Sequence, residues 1–150
     1  MTATYQITLP FPPSVNRYWR HVVIRGQPRS LLSKPARQYR DDVIAAVLAA
    51  GQPETFTGPV EVDVVYRAPD RRRRDVDNYH KGILDALQHA GVFADDRQVW
   101  RLAHAWALGD TGRIVVEPPG SAIVTIKPLV VEPALFAKHG EGEVNDRTNQ

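Results

Sequence analysis

Asp75 and Asp77, separated by Val76 and directly preceded by Arg71, Arg72, Arg73 and Arg74, are the residues of this chain best suited to chemistry. Magnesium prefers an octahedral shell of hard oxygens, keeps several waters, and is usually held by one or two protein carboxylates plus phosphate oxygens of a substrate. Two carboxylates one residue apart supply such ligands, and four guanidinium groups supply forked donors for phosphate. The combination reads as a phosphate clamp abutting a divalent-metal site. Capping of a following helix would account for Asp77 alone, but it leaves Asp75 and the arginines unexplained. The five histidines (His21, His80, His89, His104 and His139) show no HExxH-like spacing, and there is neither a Gly-rich phosphate loop nor a Gly-x-Ser-x-Gly elbow.

Charge is distributed unevenly although the formal net charge is only +2. Arg17, Arg20, Arg25, Arg29, Lys34, Arg37 and Arg40 all precede the first acid, Asp41. Together with the arginine run they form two basic blocks, a field that favours a polyanionic partner such as nucleic acid. Within the first block, Asn16-Arg17-Tyr18-Trp19-Arg20-His21 interleaves cations with two large rings, a mixture able to grip phosphates while stacking on bases. The same rings would serve equally well in the core. Asn16, Arg17 and Arg20 therefore join Arg71 to Arg74 as candidate backbone contacts.

The elements that must position these groups follow from periodicity. Alternation over Thr4 to Leu9 predicts a strand ended by Pro10, Pro12 and Pro13. Residues 22–32 form an exposed excursion, a flexible hairpin around Gly26. Ser33, Lys34 and Pro35 start a helix carrying Tyr39, Val43, Val47 and Ala50 and stopped by Gly51. Val60, Val62, Val64 and Tyr66 mark a second strand that leads to Pro69 and the arginines. A second helix begins near Asn78 with Asp77 as its N-cap and ends at Gly91, with Tyr79, Ile83, Leu87 and Ala90 as its apolar stripe. Lys81, four residues after Asp77, then lies one turn above that cap. Gln98 to Leu108 and Ala122 to Lys127 supply two further strands.

The expectation is one α/β domain over residues 1–128, strand–helix–strand–helix–strand–strand, with a mixed four-stranded sheet covered by two main helices and its strand order open. Residues 129–150 are expected to be a polar, flexible tail. At 150 residues the chain can bury one sizeable core without disulfides. The absence of cysteine excludes thiol nucleophiles and cysteine-ligated metals. No apolar run of about 18 residues and no secretory signature are found, so a soluble, cytoplasmic protein without a membrane partner is expected.

From about Thr4 to Pro128 the chain resembles the RusA-type Holliday junction resolvases, small Mg²⁺-dependent endonucleases of bacteria and their prophages. The likeness is carried by YQITLPFPPSVNRYWRH, by PDRRRRDVDNYHKGILDALQHAGVFADD and by the RQV that follows. It implies an acidic metal site of Asp75, Asp77 and Asp96, a functional lysine at Lys81, and Mg²⁺ as cofactor with Mn²⁺ as a possible substitute. It also implies a homodimer that resolves four-way DNA by paired symmetric nicks in recombination or repair. A DNA-binding module without catalysis and a nuclease for other branched DNA such as flaps are the alternatives.

Asp96 raises a geometrical question. Thirteen helical residues carry the chain about 20 Å from Asp77, and the six steps from Ala90 to Asp96 recover at most about 20 Å. Either the segment runs straight back along the helix, or Asp96 meets the other carboxylates across a subunit boundary of the two-fold dimer.

Overall fold

Alternating burial along Val60, Val62, Val64 and Tyr66 sets the frame of the computed structural model, which describes residues 3–130. These side chains face the core from β4 (Val60–Arg67), one of two inner strands of a mixed sheet of order β1-β6-β4-β5. Its other strands are β1 (Tyr5–Pro10), β5 (Val99–Trp106) and β6 (Ser121–Pro128). β6 is antiparallel to both β1 and β4, whereas β5 is parallel to β4. A parallel neighbour requires a crossover connection, and α3 (His80–His89) lies within it. The four-stranded mixed sheet is as expected, and its open strand order is now filled in.

Among the described residues, helices cover one face of the sheet. α2 (Lys34–Ala50) begins where Ser33 Oγ accepts the Ala36 amide at 3.2 Å, with Pro35 in its first turn, and ends at Gly51, φ +89°. It buries Tyr39, Val43 and Val47 beside Ile83, Ala86 and Leu87 of α3. The other face is polar, as an antiparallel sheet with one solvated side permits. There Lys127 Nζ stands 3.2 Å from Glu61, and Gln6 donates to Thr125 at 3.1 Å.

The exposed hairpin expected around Gly26 is present. The excursion over residues 22–32 belongs to a regular second sheet, β2 (Trp19–Ile24) with β3 (Gln27–Leu32), following a single-turn helix α1 (Val15–Tyr18). Six cross-strand pairs run from Trp19↔Leu32 to Ile24↔Gln27, and Arg25 (φ 51°) and Gly26 (φ 75°) make the left-handed two-residue turn that suits a hairpin.

One expectation changes: Asp77 caps no α-helix. A 3-10 turn, Val76–Asn78, closes first through the Asn78 amide on the Asp75 carbonyl, and α3 starts only at His80 with Tyr79 at its N-cap. The cause is Tyr79, buried among Phe11, Tyr66 and Trp106 with ring centroids 4.9, 5.9 and 6.0 Å away. Anchoring that ring separates turn from helix. Leu129 still donates to the Pro59 carbonyl, and the expected tail from residue 131 onward lies outside the described residues.

Candidate active site

Asp75 and Asp77 occupy the chain between the end of β4 and the start of α3, held from both sides. On one side Tyr79 sinks into the ring cluster; on the other, His104 of β5 places Nδ1 3.2 Å from the Val76 carbonyl. Both carboxylates are exposed, and among the described residues neither has a side-chain hydrogen-bond or ion-pair partner. Asp75 lines a cleft of about 700 Å³. Its walls are Asp70, Arg71, Arg72, Arg73 and Arg74, and its apolar side is Ala68, Trp106, Ile114 and Val116. Arg113 completes the wall from the loop before β6. Sequence reasoning missed this fifth cation; its one signal is its place between Gly112 and a run of β-branched residues.

The four arginines have unequal roles. Arg74 is mostly buried and grips Asp70 with both ends of its fork, Nη1 to Oδ1 at 2.7 Å and Nη2 to Oδ2 at 2.8 Å. That fork, followed by the Arg72 amide, pulls the Asp70 carboxyl down to about 2. Arg74 therefore braces the loop instead of offering its donors to a ligand. Arg71 and Arg73 are exposed and have no ion-pair partner among the described residues, and Arg72 lies 3.8 Å from Asp70 with most of its side chain in solvent. Three cations are thus presented to the cleft by a fourth.

Lys81 stands in the first turn of α3, exposed and without an ion-pair partner among the described residues. Its i+4 neighbour Asp85 is occupied elsewhere: it accepts the Tyr18 hydroxyl and pairs with Arg40 Nη2 at 2.8 Å. Burial works to raise the Asp85 pKa, but the Tyr18 and Arg40 hydrogen bonds outweigh it and the carboxyl stays below its ordinary value. This three-way bond ties α1, α2 and α3 together. It also settles the role of Tyr18, which is buried, while Trp19 remains partly exposed with its ring edge-on to Tyr18. Asn16, Arg17 and Arg20 lie exposed on either side of it.

Asp96 lies at the far end of the domain. Its amide donates to Gln88 Oε1 in the last turn of α3, and it precedes β5, whose start pairs with the start of β4. Asp75 follows the opposite end of β4 and leads into a turn that lies beside His104, five residues along β5, so about 15 Å of strand separates that turn from the start of β5. Among the described residues no group of three His, Cys, Asp or Glu side chains converges on one point. The structure thus brings Asp75, Asp77 and Lys81 into one neighbourhood and leaves Asp96 outside it.

The adjacent acids 95 and 96 also divide their work. Asp95 accepts the Arg97 amide while Gln98 returns a bond to the Asp95 amide, a reciprocal capping box. Asp96 keeps an exposed carboxylate.

Two exposed, unpartnered carboxylates with open solvent around them suit a hard cation that retains waters. Around the cleft, the Asp75 carboxylate stands beside the exposed donors of Arg71, Arg72 and Arg73 and beside Arg113.

Comparison with known proteins agrees with this chemistry. A family model described as "Endodeoxyribonuclease RusA" matches residues 10–117. The chain is 44% identical over 96 residues to a crossover junction endodeoxyribonuclease RusA of Escherichia coli (strain K12), covering 64% of this chain and 77% of that protein. The relative from Shigella sonnei (strain Ss046) is equally similar, and that of Enterobacteria phage 82 is 43% identical over the same length.

Proposed function

Since the chain belongs to the RusA endodeoxyribonuclease family, we propose that Asp75 and Asp77, beside the arginine-walled cleft, carry out its hydrolysis of DNA phosphodiester bonds at crossover junctions. The observation that carries this reading is the Asp75 carboxylate, exposed, without a partner among the described residues, and lining a cleft with five arginines. Nothing in the fold requires an acid there. A non-catalytic module would use its acids as caps or braces, and Asp70 and Asp95 take those parts instead.

Asp75 and Asp77 would hold Mg²⁺, with Mn²⁺ as a substitute that accepts the same oxygen donors. When bound, such an ion lowers the pKa of a coordinated water and offsets charge on the scissile phosphate. Arg71, Arg72, Arg73 and Arg113 place the sugar–phosphate backbone in the cleft. Lys81, free of Asp85, adds a point charge from the first turn of α3, four residues after Asp77.

Asp96 completes the acidic set across a two-fold axis. β5 is the outer strand of the sheet, and its second edge pairs with no strand among the described residues. Two β5 edges laid antiparallel put the start of one strand at the level of the other's end, which carries Asp96 of a second copy toward Asp75 and Asp77. A homodimer so built has two equivalent sites, matching a four-way junction that needs two symmetric nicks.

The test is cleavage of synthetic four-way, Y-shaped and linear DNA at matched salt, with and without Mg²⁺. Paired nicks confined to the four-way substrate and dependent on metal are expected. Binding without cleavage under every metal condition would return the chain to the DNA-binding module. Preferential cutting of Y-shaped DNA would make it a flap nuclease.

A further inference from the structure

The β2–β3 hairpin stands apart from the main sheet, and ten of its twelve strand residues are solvent-exposed. An isolated two-stranded ribbon is marginally stable on its own, yet this one is firmly rooted. The Ser33 amide bonds the Tyr18 carbonyl at its base, and Ser33 Oγ donates to the Arg17 carbonyl at 2.6 Å. Tyr18 reaches down to Asp85, and its ring lies against Gly82, where a Cβ would meet Tyr18 Cε2 at 3.4 Å. Gly82 follows Lys81. The hairpin therefore rises from within one helical turn of the candidate catalytic lysine.

Cations stand along the stem of the hairpin and in its turn, and exposed apolar side chains stand at its base and just before the turn. Arg20, Arg25 and Arg29 are exposed, and no acid occurs before Asp41. The register pairs Arg20 with Leu31, Val22 with Arg29 and Ile24 with Gln27, so both stem arginines share a face with Ile24. Val23, 72% exposed, and Ile24, 47% exposed, lead into the Arg25-Gly26 turn from one strand, Ile24 on the arginine face and Val23 on the other. A second copy of the chain is a poor occupant, because two such arms would repel.

We propose that this hairpin is a DNA arm: its stem arginines lie on strand phosphates, and Val23 and Ile24 wedge against bases laid bare where the strands part. Apolar side chains that insert at a base step are an established way to exploit deformed DNA, and a branch point offers unstacked bases at low cost. The arm rests on the crossover-junction reading above and adds to it the surface that senses the branch.

The experiment is fluorescence anisotropy without divalent metal, so that binding is scored free of cleavage. It uses a four-way junction carrying 2-aminopurine at the branch and a linear duplex of equal length. Relative to the parent protein, V23S/I24S should lose about tenfold in preference for the junction, lose the 2-aminopurine response, and keep its salt slope and thermal midpoint. R20Q/R29Q should instead weaken binding to both DNAs and lower the salt slope by about two. A V23S/I24S protein that matches the parent in both junction preference and 2-aminopurine response overturns the wedge. A shift of oligomeric state by light scattering with the DNA readouts unmoved overturns it in favour of a protein contact. If the parent protein itself shows no junction preference, the underlying reading falls first, a result visible without any variant.

Discussion

Replacing Asp85 with alanine removes the acceptor shared by Tyr18 and Arg40, and the cost can be worked from the geometry. The Tyr18 ring is 2% exposed, so its hydroxyl loses a hydrogen bond where water enters poorly, a penalty of about 1–3 kcal/mol. Arg40 loses its only salt bridge among the described residues. For a fully buried pair that would cost about 3–5 kcal/mol, but the side chains here are 22% and 32% exposed and solvent recovers most of it. The sum is about 3 kcal/mol, which for a domain of this size lowers the thermal midpoint by about 6–12 °C. Y18F, which leaves the Arg40 pair intact, should cost about 1 kcal/mol. Urea denaturation of D85A, Y18F and the double variant gives the coupling, expected at about 1 kcal/mol. Amide exchange should show the hairpin opening more readily in D85A, because its root is the same Tyr18. A D85A loss under about 1 kcal/mol with additive energies would mean that the three helices are not tied at this point.

The remaining predictions concern the site and its supports. D75N and D77N should each abolish metal-dependent cleavage while junction binding in an anisotropy assay is kept or strengthened, since a negative charge facing phosphate is gone. G120A should destabilise by about 2 kcal/mol or more in urea. Gly120 has φ +87°, and a Cβ there would sit 3.0 Å from Phe11 Cβ and from Pro69; G58A, with nothing within 4 Å, should stay within about 0.5 kcal/mol. Burial, reinforced by His104, holds the His80 imidazole below its ordinary 6.5. Its depressed pKa favours folding above that value, and the contribution is lost as pH falls below 6.5 toward the folded-state pKa. Thermal midpoints measured from pH 7.5 downward should fall less steeply for H80Q.

Much of this architecture was legible because burial imposes periodicity. Val60, Val62, Val64 and Tyr66 announce β4, and Tyr39, Val43 and Val47 announce α2, since each set faces one core. Gly51 and Gly91 mark helix ends because both carry positive φ. The β2–β3 hairpin was only half visible: its turn at Gly26 shows, but strands with no buried face leave no alternation to read. Asp77 looked like a cap because Asp before an apolar stripe usually is one; the burial of Tyr79, a tertiary fact, shifts the helix start to His80. Asp95 and Asp96 are indistinguishable by type, yet Gln98 three residues after Asp95 is a capping signal that the sequence already held. The distribution of the arginines could not be read at all, because it turns on which one reaches Asp70.

The direct test of the composite acidic site is to mix subunits. D75N and D96N proteins, each inactive alone, are unfolded together, refolded, and assayed on a four-way junction with Mg²⁺. Random assortment makes about half of the dimers mixed, each with one undamaged site out of two, so about a quarter of wild-type cleavage should return. Mixed dimers, verified by differential tagging, that remain as inactive as the parents would contradict the assembly of Asp75, Asp77 and Asp96 across the subunit boundary.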